Sequence, residues 1–177
     1  MIHLILGGAR SGKSSFAEQQ ALVLSNLTQQ KVTYVATATN TDNEMAQRIA
    51  RHQAERPAHW LTAEVPMQLS EWIAQQASGV VIIDCLTLWL NNQLYNAPQQ
   101  DFSLLSRQLC QVLRNSKADI FLVSNEVGMG VSPLGEVSRQ FVDQAGWLNQ
   151  AVAKVADNVT LIAAGLPLPL KTAGQQP

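Results

Sequence analysis

The sequence predicts an α/β fold, a mostly parallel β-sheet with helices on both faces, and three observations predict it. Short apolar runs recur along the chain, segments of helical periodicity separate them, and a glycine-rich stretch joins the first run to the first helical segment. Runs that are apolar throughout, rather than at alternate positions, belong to strands covered on both faces. Strand–helix alternation then gives parallel pairing through crossover connections.

The expected strands are Ile2 to Leu6, Val32 to Ala36, Val80 to Ile83, Ile120 to Val123 and Val159 to Ile162, with a short additional strand over His59 to Thr62. Helices are expected near 13–27, 43–55, 67–77, 102–115 and 134–156. The second of these opens on Thr41-Asp42-Asn43-Glu44, which resembles a capping box, and Pro57 ends it. The last is expected to start at Ser132-Pro133, a cap followed by proline at the first helical position. Its apolar stripe, Leu134, Val137, Phe141, Ala145, Leu148 and Val152, is expected to face the core. Asn96 to Gln100 reads as an exposed loop. Residues 1–171 are expected to form one catalytic domain, and 172–177 a flexible tail.

Composition narrows the functional classes. At 177 residues, folding can bury roughly 70% of the unfolded chain's surface, enough for a core without disulfides or structural metal. Charged residues make up 14% of the chain and the net charge is −1. No nucleic-acid partner is expected, because such binders carry a basic patch. Cys85 and Cys110 lie too far apart in sequence for a CxxC motif and read as free thiols of a reducing compartment. Neither a signal peptide nor a spanning segment is expected, which points to the cytoplasm.

Chemistry begins at Gly7-Gly8-Ala9-Arg10-Ser11-Gly12-Lys13-Ser14, which satisfies G-x-x-x-x-G-K-[ST] between a strand and a helix. The glycines let successive backbone N–H groups turn toward phosphate oxygens, and the helix adds the positive end of its dipole. Lys13 supplies a point charge to the β- and γ-phosphates, and Ser14 a hydroxyl to Mg2+. The expected fold class is therefore a P-loop NTPase of RecA-like form. Asp84 ends the run Val80-Val81-Ile82-Ile83 and sits where a second magnesium-side carboxylate belongs. The plainer alternative makes Asp84 the cap of a helix starting at Leu86. The loop alone does not separate kinase, switch and nucleotidyltransferase.

On the 43–55 helix, Met45, Ala46, Ile49 and Ala50 form one side, and Glu44, Arg48, Arg51 and Glu55 the other. His52 lies at the boundary, where neighbouring cations favour the neutral, nucleophilic imidazole and could offset phosphate charge. From spacing alone, a solvated helix face with an incidental histidine is the favoured reading. His3 and His59 read as structural. Asn125-Glu126 with Gly128 and Gly130 follows a strand at the expected site edge, and sequence does not choose between a plain turn and a loop that closely approaches substrate or a subunit neighbour.

These segments carry a resemblance. GGARSGKSSFAE at 7–18, YVATAT at 34–39, DNEMAQRIARHQAERPAHWLTAE at 42–64, SNEVGMGVSP at 124–133 and FVDQAGWLNQ at 141–150 resemble the bifunctional adenosylcobinamide kinase and adenosylcobinamide-phosphate guanylyltransferase family of cobalamin biosynthesis. The resemblance runs to Lys171. It implies that ATP or GTP, with Mg2+, phosphorylates the aminopropanol hydroxyl of adenosylcobinamide. It implies next that GTP donates GMP to the resulting phosphate through a GMP–histidine intermediate on His52. Implied nucleotide contacts are the loop 7–14, Ala36, Thr37, Ala38, Gln53, Ala54, Glu55, Arg56, Glu64 and Asp84, and the implied assembly is a homotrimer. Arg48, Arg51 and Arg56 are our candidates, from spacing, for bracketing the α-phosphate. Ser132 stands where the family has an aliphatic residue, and Arg51 where some relatives carry a second histidine. Two other readings compete: a small-molecule kinase that uses the phosphate loop alone, and a nucleotide-gated regulatory module without turnover.

Overall fold

The computed structural model describes residues 1–38 and 57–174. Along the chain run β1 (Ile2–Gly7), α1 (Lys13–Thr28), β2 (Val32–Ala36), β3 (Leu61–Glu64), α2 (Leu69–Ala74), β4 (Val80–Asp84), α3 (Leu86–Asn96), α4 (Phe102–Asn115), β5 (Asp119–Asn125), α5 (Glu136–Val155), β6 (Asn158–Ala163) and β7 (Leu166–Lys171). The strands form one seven-stranded sheet in the order β3-β2-β4-β5-β1-β6-β7. Every neighbouring pair is parallel except β6–β7.

The central strands carry apolar residues on both faces because each feeds two cores. Ile2, Leu4 and Leu6 of β1, Val81 and Ile83 of β4, and Ile120 and Leu122 of β5 pack beneath α2, α3, α4 and α5. Ile5, Ile82, Phe121 and Val123 point the other way, where Ala17 and Ala21 of α1 cover them. Fully burying each such aliphatic side chain contributes roughly 1.5–3 kcal/mol, so the three inner strands anchor the sheet. Among the described residues the coverage is unequal, with four helices on one face and α1 on the other.

Several elements differ from the sequence reading. The short strand near 59 begins two residues later, at Leu61, because the Trp60 N–H donates to the Pro57 carbonyl in a turn. The helix expected at 67–77 is confined to Leu69–Ala74. Leu86–Asn96 forms the helix that entered only through the alternative reading of Asp84, and its cap is Cys85 rather than Asp84. The last helix starts after Gly135, not at Ser132-Pro133, and Leu134 and Val137 are 98% and 73% exposed. A helix of this length spans about 30 Å against about 20 Å for the six residues of β6, so its first turn overhangs the sheet. Only Ala145, Leu148 and Val152 of the expected stripe are fully buried. The helix expected at 43–55 lies outside the described residues, as do residues 175–177 of the expected tail.

β7 is the largest omission. Its Leu-Pro-Leu-Pro-Leu run carries two prolines, which central strands do not accept, but β7 is an edge strand. Ala164 and Gly165, at φ 51° and 79°, make the two-residue turn that returns the chain from β6. Lys171 then donates from Nζ to the carbonyls of Ala153, Lys154 and Ala156, satisfying the C-terminal end of α5.

Candidate nucleotide site

The phosphate loop emerges from β1 and closes on α1. Gly7 is buried between its neighbours, so that an added Cβ would meet the Ile162 carbonyl oxygen at 2.5 Å. Gly12 has φ 97°, left-handed backbone that a glycine adopts freely. Arg10 shares that region at φ 57°. The Ser11 N–H donates to the Gly8 carbonyl at 3.3 Å, and the Phe16 N–H to the Gly12 carbonyl at 3.0 Å. From outside, the tip of the β6–β7 hairpin braces the loop: the Gly165 N–H donates to the Ser11 carbonyl at 2.9 Å. Sequence reasoning missed this support because it missed β7.

Gly8, Ala9, Arg10 and Gly12 are exposed, Ser11 and Ser14 half-buried, and Lys13 buried. Lys13 Nζ donates to the Gly8 carbonyl at 2.9 Å, which folds the ammonium back over the loop. Its charge is felt at Cys85. Burial pushes the Cys85 thiol up to about 11, with the Asp84 carboxylate adding; hydrogen bonds from the Leu88 backbone and the Thr87 side chain oppose this, and Lys13 opposes it least. A cation from the loop and a carboxylate from β4 therefore converge around one residue.

Asp84 is the last residue of β4 and is half-buried. It does not cap α3, whose cap residue is Cys85. Instead Tyr34, buried in β2, donates its hydroxyl to Asp84 Oδ2 at 2.6 Å. Thr37 is fully buried, and its hydroxyl accepts from the Cys85 N–H at 2.8 Å and donates to the Cys85 carbonyl at 2.7 Å. Its own N–H donates to the Asp84 carbonyl at 3.2 Å, and Asn92 Nδ2 donates to its carbonyl at 2.8 Å. The Thr37 hydroxyl is thus committed to holding the Asp84–Cys85 backbone. Tyr34 was not singled out for this role in the sequence; its signal was a tyrosine inside an apolar strand, whose hydroxyl needs a partner when buried.

Register gathers the remaining candidates at one edge. Glu64 pairs with Ala36, Ala36 with Asp84, Asp84 with Val123, and Gly7 with Asn125, so all lie at the carboxyl ends of parallel strands. That is where α/β sheets bind ligands. Ala36 and Ala38 are half-buried and Glu64 is exposed. His52, Gln53, Ala54, Glu55 and Arg56, with Arg48 and Arg51, lie outside the described residues. His3 is buried, with Nε2 2.8 Å from Thr160 Oγ1, and burial holds its pKa below the usual histidine value. His59 is exposed. Cys85 and Cys110 are free thiols.

Ser14 and Asp84 offer hard oxygen donors, the kind Mg2+ takes together with phosphate oxygens and water. No group of three or more His, Cys, Asp or Glu among the described residues could hold a metal, and a magnesium site of this kind does not require one. A groove of about 940 Å3 between α4 and α5 includes no residue of the phosphate loop or of the strand ends described above. Among the described residues no helix is long and apolar enough to cross a membrane.

Comparison with known proteins extends this picture. A family profile described as cobinamide kinase / cobinamide phosphate guanyltransferase matches residues 3–170. The bifunctional adenosylcobalamin biosynthesis protein CobP of Pseudomonas aeruginosa is 49% identical over 173 residues, covering 97% of this chain and 98% of that protein. The corresponding CobU proteins of Salmonella typhimurium and Escherichia coli are 37% and 36% identical, each over 97% of this chain and the whole of theirs. Among solved structures, the flagellar accessory protein FlaH of Methanocaldococcus jannaschii superposes with a TM-score of 0.54 at 16% identity, over 97% of this chain and 78% of that one. A second solved structure, an ATPase domain, gives 0.53 at 16% identity, over 90% and 68%. At that identity these two structures bear on the fold alone.

Proposed function

The chain belongs to the cobinamide kinase / cobinamide phosphate guanyltransferase family, and from that premise we propose that one site, on a catalytic domain spanning 1–171, serves both reactions in the cytoplasm. The chain is a bifunctional enzyme of cobalamin biosynthesis. It transfers phosphate from a nucleoside triphosphate to adenosylcobinamide, then GMP from GTP to the product, giving adenosylcobinamide-GDP. The observation that carries this reading is the convergence of the phosphate loop, Lys13 and Asp84 at the carboxyl edge of the sheet.

Loop N–H groups and Lys13 hold the triphosphate and offset charge as it shifts during transfer. Ser14 and Asp84 would hold Mg2+, which would supply further charge stabilisation at the phosphates. Tyr34 and Thr37 keep Asp84 in place from behind. In guanylylation the neutral His52 imidazole forms a P–N bond to the α-phosphorus of GTP, and the bond to pyrophosphate breaks. A phosphate oxygen of adenosylcobinamide phosphate then attacks that phosphorus, the P–N bond breaks, and His52 is restored. Covalent catalysis divides one displacement between two anions into two easier ones. Gln53, Ala54, Glu55 and Arg56 follow His52 onto the nucleotide, Ala36, Ala38 and Glu64 line it, and Arg48, Arg51 and Arg56 bracket its α-phosphate.

The test uses GTP labelled at the α-phosphate, with Mg2+ and no corrinoid. Acid-labile, alkali-stable label on the denatured chain, absent in His52→Ala, is the expected result. A kinase that turns over adenosylcobinamide but takes no label would instead be the monofunctional enzyme, and His52 would not be the nucleophile. Loss of labelling on replacing Arg10, with Arg48, Arg51 and Arg56 neutral to change, would overturn the assignment of those three.

We also read the chain as a homotrimer that binds no nucleic acid. Met129, Val131, Leu134 and Val137 before and within the first turn of α5 are exposed, as are Leu166, Leu168 and Leu170 along β7. Apolar surface grouped in this way marks interaction sites. Sedimentation equilibrium should return three chain masses; a monomer at micromolar concentration would refute it.

A further inference from the structure

Asn125 ends the strand that lies between β1, which delivers the phosphate loop, and β4, which ends in Asp84. It pairs with Gly7, while Val123, two residues earlier, pairs with Asp84. Paired residues, and residues two apart on a strand, share a face of the sheet. The Asn125 side chain therefore stands on the face of Asp84, Val123 and Ile5, the face that α1 covers.

The opposite face fixes this strand end. Thr87 Oγ1 accepts from the Asn125 N–H at 2.7 Å, and Asn149 Nδ2 donates to the Asn125 carbonyl at 3.2 Å. The Ser124 hydroxyl donates to Asn149 Oδ1 at 2.7 Å and lies 3.3 Å from that of Thr87. Thr87, Ser124 and Asn149 are all buried. A buried network satisfied at each member rigidifies what it holds. Here it holds the backbone of Asn125, whose side chain stands on the opposite face, that of Asp84.

That side chain is incomplete. Asn125 Oδ1 is shielded from solvent and has no hydrogen-bond partner, and the same is true of Ser11 Oγ, which lies 2.5 Å from the position a Gly7 Cβ would take. Two buried unpartnered polar atoms thus flank Gly7, one from the loop and one from β5. Native proteins pair nearly all such atoms, so exceptions call for an explanation.

We propose that the Asn125 amide reads the terminal phosphate of the bound nucleoside triphosphate, Nδ2 donating to a γ-phosphate oxygen and Oδ1 accepting from the hydroxyl of the phosphoryl acceptor. This rests on the nucleotide-site reading above. Asn125 is neutral and takes no proton; it orients. An amide suits both duties because it donates and accepts within one rigid plane. Nothing in this role reaches the α-phosphate, so a diphosphate should not sense it.

The experiment measures binding of the α,β-methylene analogues of GTP and GDP by calorimetry, with wild type, Asn125→Ala, Asn125→Asp and Lys13→Ala. In Asn125→Ala the triphosphate analogue should bind roughly 10- to 100-fold more weakly, the loss expected for one hydrogen bond to a charged group, with the diphosphate unchanged. Asn125→Asp keeps the shape, replaces the donor with a negative charge, and should lose at least as much. Equal losses for both nucleotides, or no loss for either, overturn the proposal. Wild-type binding that survives Lys13→Ala would instead sink the nucleotide-site reading itself.

Discussion

Gly7→Ala converts a packing detail into a measurable loss. The added Cβ would lie 2.5 Å from the Ile162 carbonyl oxygen, 2.5 Å from Ser11 Oγ and 3.3 Å from Ser11 Cβ. Non-bonded carbon atoms pack best at about 3.5–4.0 Å, so the first two contacts are well inside any tolerable separation. Ser11 Oγ can rotate away, since no hydrogen bond holds it. The Ile162 carbonyl cannot, because Ile162 is paired with Gly7 on one side and Pro167 on the other. β1 must therefore separate from β6 just where the phosphate loop begins. Overpacking of this kind costs about 1–3 kcal/mol, and a backbone obstacle places it in the upper half of that range. At this chain length each kcal/mol moves the melting temperature by about 2–4 °C, so a fall of roughly 5–10 °C is expected. Displacing the loop by a fraction of an ångström should also slow self-guanylylation by up to about 100-fold. Circular-dichroism melts and the rate of α-label incorporation measure the two effects. Adding Ser11→Ala should leave most of the loss in place, because Ile162 remains. Unchanged melting and labelling in Gly7→Ala would refute the reasoning.

Two further outcomes follow from contacts outside the site. Lys171→Met removes the ammonium that joins β7 to three carbonyls at the end of α5; losing charged hydrogen bonds there should cost about 2–4 kcal/mol, read as an earlier urea midpoint. Burial lowers the pKa of His3 in the folded protein, so the unfolded chain binds more protons near and below pH 6.5. The stability His3 contributes is then complete above that pH and declines as pH falls through it, by at most about 1.4 kcal/mol per pH unit for one group. His3→Gln should flatten that acid limb in urea titrations between pH 7.5 and 5.5, and an equally steep limb in the variant would assign the effect elsewhere.

Much of this architecture was legible because its causes are local. The runs at Ile2, Val32, Val80 and Ile120 read as strands since each is apolar on both faces, and both cores use them. The strand–turn–helix form around residues 7–14 was legible because its glycines answer to backbone sterics within eight residues. β7 did not read, because a proline-bearing strand is acceptable only at an edge, and no local pattern says where the edge is. Leu134 and Val137 were misplaced for a related reason: helical periodicity reports a stripe, but not whether the sheet extends beneath it. The cap reading of Asp84 fell when α3 took Cys85 as its cap, and a helix start shifted by one residue is not legible in the sequence.

Sequence alone therefore determined the fold class, the phosphate loop and the position of Asp84 at a strand end, and these depend on neighbours along the chain. The tertiary structure decided what stands around them. Tyr34 on Asp84, Thr37 on Cys85, Gly165 on Ser11, and Asn125 beside Gly7 join residues as many as 154 positions apart. Strand order and register set those partners, and both come from how helices and strands of the whole chain share one sheet, which no short window of sequence contains.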